Sequence, residues 1–290
     1  MDCLKKRSTE ILMQANRNMV EASPWGQFTF GPAIDGSYVR DLPGRELLNG
    51  NYVKDLSVLV GHTKHYNLSN FAYFRNEGII FVDPMLYAAS ETEAREKLKE
   101  TLPLAKMPTL RKVNRLYPSP ERSFGFFQNQ FDRIDELISG PQSFSQLTKE
   151  WIFNGNVRYI TQAYGNDTYN YVYSLIPSIH SSDVIFTFTD FVFDHDGQRH
   201  NFNINYLKAW QSYLISFIKH GDPNIERDLE STIPWGLAGE QMWAINMRMR
   251  GFEWIIDEQV DEERCAFWQR AEYAPPWDVA AAYGLKATAK

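Results

Sequence analysis

The sequence predicts an α/β protein built on a largely parallel sheet, and three features carry that prediction. Val58-Leu59-Val60-Gly61 is a short continuous apolar run closed by glycine, as a strand covered on both faces reads. Residues 169–175 alternate as Tyr-Asn-Tyr-Val-Tyr-Ser-Leu, the period of two that marks a strand. Helical stretches lie between and after these runs, and strands separated by helices favour parallel pairing.

In order along the chain, Ile11, Leu12, Ala15 and Met19 fall on one face of a helix expected over 8–20. A turn-rich stretch follows, from Pro24-Trp25-Gly26 through Gly31-Pro32 to Asp35-Gly36. Charged, helix-prone segments are expected over 91–102, 133–139 and 144–163. The clearest helix covers 203–219, with Leu207, Trp210, Leu214, Phe217 and Ile218 as its stripe and Gly221 and Pro223 as its stop. Residues 252–256 read as a last strand. About three clear strands are few for a doubly wound sheet of this length. No repeat or low-complexity linker divides the chain, so residues 1–290 read as a single domain.

The composition bounds the function. The chain has 290 residues, 43% hydrophobic, with 19 Phe, 15 Tyr and 8 Trp, enough for a sizeable core and unlike a disordered chain. A net charge of −6 gives no support for nucleic-acid binding, and the Lys5-Lys6-Arg7 run reads as a solvated helix start. No apolar run approaches the roughly 18–20 residues of a membrane span. Met1-Asp2-Cys3-Leu4-Lys5 leads into polar, helix-like sequence rather than a signal peptide. The two cysteines, Cys3 and Cys265, lack histidines at ligand spacing, so no metal and no other cofactor is expected. Asn67-Leu68-Ser69 and Asn166-Asp167-Thr168 fit the glycosylation acceptor pattern.

Several strings, in order, resemble type-B carboxylesterases, the group of cholinesterases and fungal lipases. They are Cys3-Leu4; Phe30-Gly31-Pro32-Ala33-Ile34-Asp35-Gly36 with Asp41-Leu42-Pro43; and Val58-Leu59-Val60-Gly61 with Asn76-Glu77-Gly78-Ile79-Ile80-Phe81. Further on come Tyr169 to Ser174 with His180-Ser181-Ser182-Asp183-Val184, then Phe217 to Asn224, then Arg264-Cys265-Ala266-Phe267-Trp268. The likeness is closest to the fungal branch. It implies the C-terminal portion of an α/β-hydrolase fold, with an incomplete sheet lacking the N-terminal strands. The oxyanion-hole glycines and the nucleophile elbow of the family precede its Cys-Leu segment.

The resemblance assigns the chemistry. His180 takes the place of the general base, which accepts the serine proton and returns it to the leaving alcohol. Ser181 stands where the family usually has glycine. Glu77 takes the place of the triad acid, which orients the base, and Asp83 is the fallback acid if the Lys64-to-Arg75 insertion displaces it. Asp183 is expected to anchor the loop. Phe124, Phe126, Phe127 and Phe131 lie where the family builds its acyl pocket, and the first three are the substrate-binding candidates. His62, His65, His195, His200 and His220 read as surface or loop residues, and Trp210 and Trp268 as core. The family partner of the Cys265 thiol falls at Gly155 and that of Cys3 is absent, so both thiols are expected to be free.

No Gly-x-Ser-x-Gly occurs anywhere in the chain, and the nearest string is Asp35-Gly36-Ser37-Tyr38-Val39. That pentapeptide is the strand-to-helix turn that exposes a nucleophilic serine. The expectation is thus an ester hydrolase by family, acting on small-molecule or lipid esters and secreted, but truncated before the nucleophile and inactive alone. The alternative is a non-catalytic, cholinesterase-like binding or adhesion protein.

Overall fold

The computed structural model describes residues 2–23, 29–64, 91–102, 105–117, 142–175, 178, 180–188, 192–193, 199–200, 204–258 and 261–273. The elements in chain order are α1 (Asp2–Lys5), α2 (Thr9–Glu21), α3 (Pro43–Leu48), β1 (Val58–Thr63), α4 (Glu91–Thr101), α5 (Met107–Leu116), α6 (Gln142–Thr148), a π-helical turn (Lys149–Asn154) and α7 (Gly155–Tyr164). There follow β2 (Thr168–Tyr173), α8 (Ser182–Phe188), β3 (Val192–Phe193), β4 (Arg199–His200), α9 (Ile204–His220), β5 (Trp243–Arg248), β6 (Gly251–Ile256) and α10 (Glu262–Gln269). The helix expected over 133–139 lies outside the described residues.

The main sheet has the order β1-β2-β5-β6; β1, β2 and β5 are parallel, and β6 folds back antiparallel on β5. Val58 faces Thr168 and Thr63 faces Tyr173, so β1 and β2 end level with each other. Gly61 lets these strands close: a Cβ there would lie 2.3 Å from the Tyr171 ring. Among the described residues no strand pairs with the other edge of β1. The sheet has one strand more than the sequence suggested. The missing one is β5, whose four central residues are all buried, so it carries no alternation to read.

Alternation on β2 divides the two faces. Tyr173, Leu175, Ile245 and Met247 pack with Phe186, Leu207, Trp210, Tyr213 and Trp235 on the α9 side. The buried stripe of α9 is rotated from the expected one. Tyr206, Leu207, Ala209, Trp210, Tyr213 and Ser216 are buried, whereas Ile218 is 81% exposed. The Tyr213 ring packs edge-on against Trp235, and its hydroxyl donates to the Ile233 carbonyl. Rings of this size remove roughly 150–250 Å² each from water, so they set the rotation of the helix. Gly221, at φ +69°, closes α9.

The opposite face is covered by α7 and the π-helical turn, and behind them lies a second core of Val113, Tyr117, Leu147, Tyr159, Cys265, Phe267 and Trp268. The buried Glu150 carboxylate accepts two bonds from Arg264, at 2.7 and 2.8 Å, and one from the Tyr117 hydroxyl at 2.8 Å. Trp268 Nε1 donates to that same hydroxyl at 2.8 Å. A buried carboxylate held by bidentate arginine and two further donors meets the condition under which a buried charge is tolerated; Gln146 is the second, at 3.1 Å. By contrast α2 buries no residue, and its expected stripe of Ile11, Leu12, Ala15 and Met19 faces solvent.

Candidate active site

His180 is exposed in the turn between β2 and α8, near where β1 and β2 both end. In parallel α/β sheets the C-terminal strand ends are where working groups collect. Its ring packs against Phe153 of the π-helical turn, with centroids 5.0 Å apart and planes tilted by 41°. Two bonds flank it. Two residues before, the fully buried Ser178 hydroxyl donates to the Tyr173 carbonyl at 2.6 Å and accepts the Lys64 N–H at 3.0 Å. Three residues after, Asp183 Oδ2 accepts the Tyr171 hydroxyl at 2.8 Å. Asp183 therefore reaches across to β2 rather than into its own loop backbone. Burial first and the Asp183 charge second raise the Tyr171 pKa well above the ordinary phenol value, so the phenol keeps its donor proton.

The other assigned site residues, Glu77, Phe124, Phe126 and Phe127, lie outside the described residues, as do Asp83 and Phe131. Ser178 was not foreseen. Its signal was its place in Pro177-Ser178 just past a strand, since a serine hydroxyl in a turn tends to bond nearby backbone.

A histidine–carboxylate pair is seen at the end of β1. His62 Nε2 lies 2.7 Å from Asp257 Oδ2, and Nδ1 lies 2.8 Å from the Thr63 carbonyl oxygen. Both side chains are 2% exposed. This corrects the surface reading of His62: the ring is buried at the end of β1 because Asp257, just past β6, meets it there. Since a carbonyl only accepts, Nδ1 donates to it. With both nitrogens engaged and the ring enclosed, nothing is left to take a proton from an alcohol. The pair is a structural tie, although its distance matches a catalytic dyad.

Both cysteines are free, Cys3 exposed and Cys265 buried. Burial, with the Glu150 charge adding to it, pushes the Cys265 thiol up to about 12, so it is an inert core residue at neutral pH. Gly155 could not host a partner thiol in this packing. A Cβ there would lie 2.5 Å from the Glu150 carbonyl oxygen and 2.9 Å from the Tyr159 hydroxyl. Tyr159 uses the space, donating to the Cys265 carbonyl at 2.9 Å.

Among the described residues no cluster of three or more His, Cys, Asp or Glu side chains could hold a metal ion. Nor is any described helix long and apolar enough to cross a membrane. Comparison with known proteins gives the lineage: the model of the carboxylesterase family matches residues 1–268. The chain belongs to the carboxylesterase family. Carboxylesterase patB of Penicillium expansum is 25% identical over 276 residues, covering 93% of this chain and 42% of that enzyme. Lipase 2 of Geotrichum candidum is 24% identical, over 85% of this chain and 41% of its own length. A secreted lipase of Arthroderma benhamiae is 30% identical over 43% of this chain. The crystal structure of Aspergillus niger EstA superposes with a TM-score of 0.66 at 20% identity, covering 92% of this chain and 50% of that one. The fold is thus the α/β-hydrolase type of the carboxylesterases, and this chain spans about half the length of the relatives it matches.

Proposed function

We propose that this chain supplies the general base, His180, and the triad acid, Glu77, of a serine-carboxylesterase acyl transfer, and that by itself it does not turn over esters. In that reaction a serine oxygen attacks the ester carbonyl while the base takes its proton. The base then returns the proton to the departing alcohol, and water repeats the sequence on the acyl-enzyme. Glu77 would fix the imidazole tautomer and stabilise the imidazolium. Phe124, Phe126 and Phe127 would line the acyl side of the substrate site, and the substrate would be a small-molecule or lipid ester.

The observation that carries this reading is the place of His180, exposed beside the ends of two parallel strands in a carboxylesterase chain. The absence of any Gly-x-Ser-x-Gly supports the second half. Loss of the nucleophile costs a serine hydrolase roughly 10⁶-fold in turnover, and each oxyanion donor is worth about 10²–10³-fold. The same reading takes the sheet as lacking the family's N-terminal strands, and the protein as secreted, in keeping with the Arthroderma relative's name.

Two measurements test it. The purified chain should hydrolyse p-nitrophenyl esters no faster than free imidazole, and a fluorophosphonate should label no serine; stoichiometric labelling would overturn the inactivity. In ¹⁵N-histidine spectra the His180 ring should give a strongly downfield N–H proton, the mark of a bond to a carboxylate. That signal should vanish in Glu77→Gln. Its presence in the variant would remove Glu77 as the acid, and its absence in the wild type would remove the dyad.

A further inference from the structure

We infer that Ser178 is the positioning residue of His180: its hydroxyl clamps the base-carrying loop onto the paired ends of β1 and β2. The inference rests on the reading of His180 as the base.

The geometry is specific. The hydroxyl has one proton and two lone pairs, and it uses them in opposite directions. The proton goes to the Tyr173 carbonyl at 2.6 Å, and a lone pair receives the Lys64 N–H at 3.0 Å. Lys64 N–H also donates to the Tyr173 carbonyl, at 2.8 Å. The three groups close a knot at the point where the β1–β2 ladder stops. Ser178 has no exposed surface, so water does not compete for either bond.

The backbone supports the same conclusion. Ser178 sits at φ +50°, a region that costs free energy for any residue with a Cβ and persists only where surrounding contacts enforce it. The hydroxyl bonds are such contacts. His180 follows two residues later, so its Cα stays within about 7 Å of the Ser178 Cα whatever the chain does between. Beyond it, the Asp183–Tyr171 bond of 2.8 Å pins the start of α8 to β2. His180 is therefore presented from a short span fastened at both ends. Asp183 was foreseen as one fastening, and Ser178 is the other.

The test uses the chain as it is, with two variants. Ser178→Gly removes the hydroxyl and tolerates the positive φ; Ser178→Ala removes the hydroxyl without glycine's freedom. Both should speed amide hydrogen exchange across 180–183 by about ten-fold, the worth of one to two buried hydrogen bonds, with β5 and β6 unchanged. Both should also broaden the downfield His180 N–H signal by loosening the loop that holds the ring against its carboxylate, a change that a uniform loss of stability would not confine to this ring. If Ala does not fold, Gly alone decides. A sharp signal and wild-type exchange in Ser178→Gly would overturn the clamp. Should the wild type lack the signal while Ser178→Gly still exchanges faster, the reading of His180 as base fails and the loop anchor stands.

Discussion

Ser178 and Ser181 flank His180 at φ +50° and +68°, but only Ser178 buries its hydroxyl. Ser181 is exposed, and it stands where the family resemblance expects glycine. Glycine adopts this conformation freely, whereas a Cβ there is strained. Ser181→Gly should therefore raise unfolding stability by about 0.5–1 kcal/mol, read by urea denaturation with an unchanged m-value. A loss of stability would mean that the Ser181 side chain holds the turn. His180 was singled out in the sequence by the family resemblance, at a place just past a strand-like run. Its clamp was not, since the partner Lys64 is 114 residues away. His62 was misread for the same reason: Asp257 lies 195 residues along the chain, and a pattern of neighbours carries no trace of it.

The elements divide between those marked by local period and those set by tertiary contacts. The strands β1 and β2 and the helix α9 appear within a residue or two of where their apolar runs place them. The expected 144–163 helix is instead α6, a π-helical turn and α7 in succession, and nothing in the residue pattern announces the wider turn. That turn carries Lys149, half-buried between charges of both signs. Burial lowers its pKa from 10.5 to about 8, with Asp257 and Glu150 pulling it back up and Lys64 pushing it further down. Between those two values the unfolded chain holds a proton that the folded chain does not, so this residue's contribution to stability rises with pH. Below pH 8 the burial penalty is present in full. Lys149→Met removes the titration. The stability of the variant minus that of the wild type should fall by up to about 3 kcal/mol from pH 7 to 10.5. The difference is the quantity to read, because Cys265, raised to about 12, makes stability decline above pH 9 in both proteins. A pH-independent difference would show that Lys149 titrates alike folded and unfolded.

Among the described residues, apolar packing concentrates on the two faces of one sheet, and α2 takes no part in it. Ile11, Met13, Met19 and Val20 of α2 are each more than half exposed, and α2 contributes nothing to either large core. Apolar side chains left exposed along a helix add little transfer energy to folding, yet they form a surface that apolar probes can bind. Ile11→Lys combined with Met19→Lys should therefore shift stability by no more than about 0.5 kcal/mol, as ordinary surface changes do. The same pair of changes should reduce the binding of an apolar dye. The alternative is that α2 is covered in solution by a second copy, its face meeting the same face or the edge of β1 away from β2. Burying those residues would make the melting temperature depend on protein concentration, and two lysines would then lower it by many degrees. Thermal unfolding at concentrations a hundred-fold apart, in the wild type and the double variant, separates the two cases. A concentration-independent transition that survives both substitutions places α2 outside the packing that holds this chain folded.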